Sequence, residues 1–227
     1  MADGFFHRYL LGNGGKRLHK WAHYPDIYER HLERFRNRGA VMLEIGVAGG
    51  GSLPMWRDYL GEGARIIGLD INPACKKHEV TGTDIFIGSQ VDRTVIDAIF
   101  ARYPRIDIVL DDGSHINEHM VGSFGLIYDR VHPNGVYMIE DMYTAYKDQF
   151  GGGLRREGSL IEFVKDKLDE LHAVHTRGRV PVSTFTRSTD HIACYDSIIV
   201  FERRPQGERQ PIATGAMKKA APPLAEA

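Results

Sequence analysis

Two acidic pairs and one imidazole are the residues of this chain best suited to chemistry. The first pair lies in Leu110-Asp111-Asp112-Gly113-Ser114-His115 and the second is Glu140-Asp141. Each follows a largely apolar run, Ile106 to Leu110 and Val136 to Ile139, the pattern left by a strand buried on both sheet faces. In open α/β sheets, ligands bind outside the carboxyl ends of the strands, which is where both pairs fall. If the two strands are neighbours, Asp112, Glu140 and Asp141 converge. Three carboxylates with no Lys or Arg close by in sequence repel one another unless a hard cation binds them. The plainer alternative is that Asp111 and Asp112 cap the next helix while Gly113 turns the chain.

The elements that must position these groups can be read around them. Val41 to Ile45 is another buried-strand pattern, and it runs into Gly46-Val-Ala-Gly49-Gly50-Gly51-Ser52 and then Leu53, Trp56 and Leu60 at helical spacing. A strand, a glycine loop and a helix N-terminus let backbone approach a ligand closely and offer it unpaired N–H groups. The same glycines would also serve a simple tight turn. Ala48 breaks the dinucleotide pattern G-x-G-x-x-G, no Walker lysine follows, and the acidic Glu44 ahead of the loop disfavours a pyrophosphate. A strand from Arg65 to Leu69 ends at Asp70, about twenty residues past the loop, where an acid can accept from both ribose hydroxyls. A third strand, Asp84 to Ile87, leads to Gln90, which either meets an adenine edge or shapes a turn. An Asp92-capped helix follows.

Ahead of this core, residues 1 to 20 are polar and glycine-bearing, and Tyr24, Ile27, Tyr28, Leu32 and Phe35 then form a helical stripe. Packing on the sheet explains the stripe more simply than a substrate lid does. Residues 143 to 158, with Tyr143, Tyr146 and Gly151 to Gly153, suggest a mobile substrate-facing loop or a disordered surface one. Leu160 to Leu171 is an amphipathic helix. Thr184 to Thr186 and Ser197 to Glu202 read as the last two strands, a hairpin with Tyr195-Asp196 near its bend. The expected organisation is an N-terminal helical segment over 1–40, a ligand-binding catalytic domain over 41–203 and a flexible tail over 204–227.

The 227 residues carry a formal charge of -1, with 29 Lys and Arg against 30 Asp and Glu, and no basic run exceeds a pair. That excludes an electrostatic footprint for nucleic acid and favours a small or neutral substrate. Cys75 and Cys194 form no CxxC pair, so neither a disulfide framework nor a thiolate metal site is indicated. With no signal-peptide core and no stretch of membrane-spanning length, the expectation is a soluble protein of the cytoplasm.

The layout Glu44-x-Gly46-x-x-Gly49-Gly50, Asp70, Asp111-Asp112 and Glu140-Asp141 resembles class I S-adenosylmethionine-dependent methyltransferases. More narrowly, Asp-Asp-Gly-Ser-His with Ile-Glu-Asp is similar to the metal-dependent sugar O-methyltransferases of macrolide pathways such as those of mycinamicin and tylosin, and to the cephalosporin hydroxylase-type family. The resemblance runs from about Trp21 to Arg203. It implies a Rossmann-like α/β fold, with a seven-stranded, mostly parallel sheet, helices on both faces and an antiparallel last strand. It also implies S-adenosylmethionine bound near Glu44, Gly46, Gly49, Ser52, Asp70, Gln90 and Asp111, Mg²⁺ on Asp112, Glu140 and Asp141, and His115 as general base. The acceptor would be a glycosylated or polyol small molecule, and a homo-oligomer is possible on this pattern. Two further readings stay open: a hydroxylase-associated partner protein that keeps the cofactor fold without turnover, and an NAD-dependent oxidoreductase.

Overall fold

The computed structural model describes residues 4 to 215. Seven strands form one sheet in the order β3-β2-β1-β4-β5-β7-β6. They are β1 (Val41–Ile45), β2 (Arg65–Asp70), β3 (Thr83–Ile87), β4 (Ile108–Asp111), β5 (Val136–Ile139), β6 (Thr189–Cys194) and β7 (Ile199–Arg203). The first five are parallel; β7 runs antiparallel to β5, and β6 antiparallel to β7. This is the expected Rossmann-like, mostly parallel arrangement. Register brings the strand ends level, with Ile45 opposite both Leu69 and Asp111, and Asp111 opposite Ile139. The residues that follow β1, β2, β4 and β5 therefore share one edge of the sheet.

The helices are α1 (Phe5–Gly12), α2 (Tyr24–Leu32), α3 (Ser52–Leu60), α4 (Arg93–Arg102), α5 (Asn117–Ile127), α6 (Leu160–Leu171) and α7 (Thr184–Ser188). Because β1, β4 and β5 are apolar on both sides, each sheet face needs its own helical cover. One core joins Phe6, Tyr24, Tyr28, Trp56, Met42, Leu110 and Val200; the other joins Leu43, Ile67, Ile99, Val109, Phe124, Tyr137 and Phe201.

The structure departs from the sequence-based expectation in the C-terminal strands and refines it in three other segments. Thr184 to Thr186 is not a strand but the start of α7, fixed by a capping box in which Ser183 and Thr186 satisfy each other's backbone. The hairpin is instead Thr189–Cys194 with Ile199–Arg203, and Tyr195 N–H closes its bend onto Ile198 O. Within the polar, glycine-bearing stretch ahead of the stripe, residues 5–12 form α1, whose Phe6 is fully buried against Tyr28, Trp56 and Tyr59. Of the segment expected to be a tail, Arg204 and Gln206 are tied by backbone bonds to Ser188 and Arg187, and 216–227 lie outside the described residues. Met142–Tyr146 and Asp148–Phe150 are two short 3-10 turns, closed by Gly152 N–H onto Lys147 O and by Gly153 N–H onto Ala145 O.

Candidate active site

The glycine loop between β1 and α3 is pressed against the turn after β4. Gly46 sits at φ 93°, and a Cβ there would lie 2.1 Å from the carbonyl oxygen of Asp112, so only glycine fits. Asp70 shapes the same loop from the end of β2: its Oδ2 accepts from Val47 N–H and Ala48 N–H, both at 2.9 Å, and its Oδ1 from Asn72 N–H at 2.8 Å. Burial works to raise the Asp70 pKa, but these backbone donors outweigh it and the carboxyl lies below its ordinary value. Gly46, Ala48, Asp70, Gly88, Gln90, Asp112, His115, His119 and Asp141 border one open cavity of about 380 Å³. Gly49 and Ser52 line an adjoining hollow with Arg17, His19 and Lys20.

Three of the expected cofactor residues sit at different depths. Glu44 is fully buried beneath the loop, where its carboxylate accepts from Ser52 Oγ (2.8 Å) and Trp56 Nε1 (2.9 Å). Burial pushes its pKa up to about 7, against the charge of Lys20 and those two donors. It reaches a ligand only through Ser52 and the loop. Asp111 is likewise buried; it accepts from Ser123 Oγ (2.5 Å), Gln90 Nε2 (3.1 Å to each oxygen) and Tyr137 OH (3.3 Å). Burial raises its carboxyl to about 6 despite those donors. Gln90 is at the cavity wall, but its amide N–H is spent on Asp111 and its Oε1 accepts from Ser114 N–H at 3.0 Å.

At the β4 and β5 ends, Asp112, His115 and Asp141 come together. His115 Nε2 is 3.8 Å from Asp112 Oδ1 and 3.8 Å from Asp141 Oδ2, and donor atoms of the three residues lie within 4.8 Å of one another. His115 Nδ1 is buried without a hydrogen-bond partner among the described residues. His115 and Asp141 both have left-handed backbone, at φ 57° and 56°, an uncommon conformation that turns their side chains toward each other. Glu140 faces the other way, into the protein: Oε1 accepts from Tyr28 OH at 2.5 Å and Oε2 from Lys20 Nζ at 2.7 Å.

Lys20 corrects the picture of carboxylates with no nearby base. Its ammonium also meets Asp112 Oδ2 at 2.6 Å, and only 3% of its side chain is exposed. Burial works to lower the lysine pKa, but attraction to Asp112, Glu140 and Glu44 wins and the group stays charged. Burial raises Glu140, with Lys20 pulling the other way. Tyr24 OH donates to Asp141 Oδ1 at 2.7 Å. Lys20, distant in sequence and in a stretch without periodicity, had no signal. Tyr24 and Tyr28 had one, since a stripe built of tyrosines carries hydroxyls that a purely packing stripe of Phe and Leu would lack.

The carboxylates suit a hard divalent cation: Asp112 and Asp141 meet at the mouth of a polar cavity with His115 Nε2 beside them, and tyrosine hydroxyls hold Asp141 and Glu140 from behind. Among the described residues no helix is long and apolar enough to cross a membrane.

Comparison with known proteins gives related sequences and related structures. The chain is 41% identical over 187 residues to a demethylmacrocin O-methyltransferase of Streptomyces fradiae, covering 77% of this chain and 46% of that protein. It is 45% identical over 154 residues to the mycinamicin VI 2''-O-methyltransferase of Micromonospora griseorubida, covering 63% of this chain and 38% of the relative. Among solved structures, the MycE methyltransferase of the mycinamycin pathway, in complex with Mg and SAH, superposes with a TM-score of 0.76 at 32% identity, over 82% of this chain and 51% of that one. A caffeoyl-CoA O-methyltransferase-like protein of Staphylococcus aureus shares the fold, with a TM-score of 0.52 at 12% identity. No family model matches the chain. The chain spans about half the length of the curated relatives it matches, or less. By sequence over that span and by its Rossmann-like methyltransferase fold, this chain is related to the demethylmacrocin and mycinamicin O-methyltransferases of antibiotic biosynthesis.

Proposed function

We propose that this chain is a Mg²⁺-dependent O-methyltransferase that uses S-adenosylmethionine to methylate a hydroxyl of a sugar or polyol carried by a natural product. The observation that carries this reading is the meeting of Asp112, His115 and Asp141 at one end of the cavity whose other end is formed by Asp70 and Gly88. Donor and acceptor sites are thereby placed edge to edge, which is what a single methyl transfer requires. The relatives support it: MycE has been solved with Mg, SAH and mycinamycin VI, and the similar curated proteins are O-methyltransferases.

In this reading Gly46, Gly49 and Ser52 cradle the amino-acid end of the cofactor, Asp70 accepts from its ribose and Gln90 borders its base. Glu44 and Asp111 hold Ser52 and Gln90 in place from beneath. Asp112 and Asp141 would hold the metal, with Glu140 joining them once Lys20 frees its Oε2, and the chemistry supplied there would be Lewis-acid polarisation of an acceptor hydroxyl. His115 takes the hydroxyl proton at Nε2, the ring nitrogen turned toward Asp112 and Asp141. An alkyl hydroxyl is a poor nucleophile, and a positioned base contributes about 10²- to 10⁴-fold in rate. The cytoplasm, where the cofactor is made and regenerated, suits this chemistry.

The test is transfer of a labelled methyl group from S-adenosylmethionine to mycinamicin VI or demethylmacrocin, with and without Mg²⁺. The expected result is metal-dependent methylation that His115→Ala abolishes while S-adenosylhomocysteine still binds. Near-normal turnover by that variant removes His115 from the role of base. Binding of NADH in place of S-adenosylhomocysteine, or cofactor binding with no metal-dependent transfer to either acceptor, overturns the reading.

A further inference from the structure

Lys20 stands where the metal reading needs free carboxylate oxygens. Its ammonium bridges Asp112 Oδ2 and Glu140 Oε2 at 2.6 and 2.7 Å, and it is nearly inaccessible to water. Glu140 has no spare oxygen, because Oε1 is held by Tyr28 OH. Glu140, buried, and Asp112, half-buried, need a cation between them, and an ammonium and a divalent ion cannot share one such gap without strong mutual repulsion. The two occupants are therefore alternatives between Asp112 Oδ2 and Glu140 Oε2, the two oxygens an ion must gain if Glu140 is to join Asp112 and Asp141 as a ligand.

The segment that delivers Lys20 is built to yield. Residues 13–20, between α1 and α2, carry neither helix nor strand. The segment crosses the glycine loop as a strap: the Arg17 carbonyl oxygen lies 2.2 Å from where a Cβ on Gly51 would stand, which only glycine permits. Its other ties are the Asn13 side chain to Gly15 N–H and Lys16 O, the part-buried pair of Lys16 Nζ and His78 Nδ1 at 2.9 Å, and Leu18, half-buried against the core. His19, on the same strap, borders the cofactor cavity. Few buried contacts hold the strap apart from Lys20 itself, the signature of a segment with low local stability.

We infer that Lys20 is an internal counter-ion that clamps Asp112 to Glu140 in the metal-free protein and is expelled when the divalent ion binds, lifting the 13–20 strap from the glycine loop. This rests on the metal site proposed above. It makes metal loading and access to the cofactor loop one event: the ion that completes the acceptor site also uncovers Gly51 and the Ser52 end of α3. By linkage, whatever Lys20 gains from the two carboxylates is subtracted from the affinity of the ion.

The chain carries its own reporter. Of its two tryptophans, Trp56 is fully buried, whereas Trp21 adjoins Lys20, is 47% exposed and meets the edge of Tyr143 at 5.9 Å. The experiment titrates Mg²⁺ into chelator-stripped protein and follows heat and Trp21 emission for wild type, Lys20→Met and Lys20→Arg, with Trp21→Phe as the optical control. Lys20→Met is expected to bind Mg²⁺ about tenfold tighter or more, within the usual range of site-to-site coupling, and Lys20→Arg to show no such gain. Wild-type emission should change with the same midpoint as the heat, and Trp21→Phe should lose that change. Equal or weaker affinity in Lys20→Met overturns displacement while leaving the metal site standing. If that variant does not fold, wild-type emission that stays constant through Mg²⁺ saturation overturns it instead. Absence of Mg²⁺ binding by both wild type and Lys20→Met overturns the metal reading together with this inference.

Discussion

Glu44 and Lys20 carry opposite charges into the same interior, and their difference bears on what a sequence discloses at the scale of one residue. Glu44 was legible as a participant because it stands immediately before the glycine loop, yet its direct contacts are Ser52 and Trp56. Its carboxyl is raised from 4.5 to about 7, burial being the largest cause. A raised folded-state carboxyl favours the protonated form, so its contribution to stability is present below pH 4.5 and lost as pH rises through about 7. Asp111, raised from 3.8 to about 6, acts in the same direction over a lower window. Urea unfolding of wild type is therefore expected to show stability falling from about pH 4 to about pH 7, and Glu44→Gln to show a shallower fall. Identical slopes would mean that Glu44 is ionised throughout. Asp112, His115 and Asp141 could be read because strand ends announce where polar residues will gather. Lys20 could not: no pattern connects a lone lysine in an irregular stretch to a carboxylate 92 positions later.

At the scale of elements, α2 does more than the core packing its apolar stripe suggested. Its first and second turns place Tyr24 and Tyr28 on one face, four residues apart, so that both rings are buried while their hydroxyls reach Asp141 and Glu140. Burial, then the partner carboxylate, keeps both phenols protonated and hence donors. Tyr24→Phe and Tyr28→Phe preserve the packing and remove one oriented hydrogen bond each. Loss of such a support typically costs about 10- to 100-fold in metal affinity or activity. Calorimetry with Mg²⁺ should show that loss with the thermal midpoint little changed, and unaltered Mg²⁺ affinity would reduce α2 to a packing helix. The parallel strands were readable nearly to the residue because each is an apolar run too short for a helix, bounded by glycine and acidic punctuation, as a strand buried on both faces requires. The short α7 was not, because Thr-Phe-Thr favours strand by its β-branched residues and only the Ser183–Thr186 capping box makes it helical. Ser183→Ala should therefore destabilise the chain by about 1 kcal/mol in urea, with S-adenosylhomocysteine affinity unchanged, since α7 lies on the sheet face remote from the glycine loop.

Across the whole molecule, the segment ahead of β1 belongs to the same core as the sheet. Phe6 of α1 is fully buried among Tyr28, Trp56 and Tyr59; Trp56 holds Glu44, and Tyr28 holds Glu140. A single aromatic cluster thus lies behind both the cofactor loop and the carboxylates. Phe6→Ala should cost about 3–5 kcal/mol as a large-to-small core change, and because the cavity opens under the site, ligand binding should suffer with stability. The measurement is the thermal shift given by S-adenosylhomocysteine. A ligand that binds only the folded state adds about 2.7 kcal/mol at a hundredfold excess over its Kd, so at fixed concentration the shift tracks affinity. Removal of residues 208–227 leaves this cluster and the backbone ties of Arg204 and Gln206 intact, and the shift should be that of the full chain. Phe6→Ala should give a smaller shift than either. If Phe6→Ala lowers the midpoint but keeps the full shift, the aromatic cluster stabilises the domain without holding the site, and α1 is a structural brace alone.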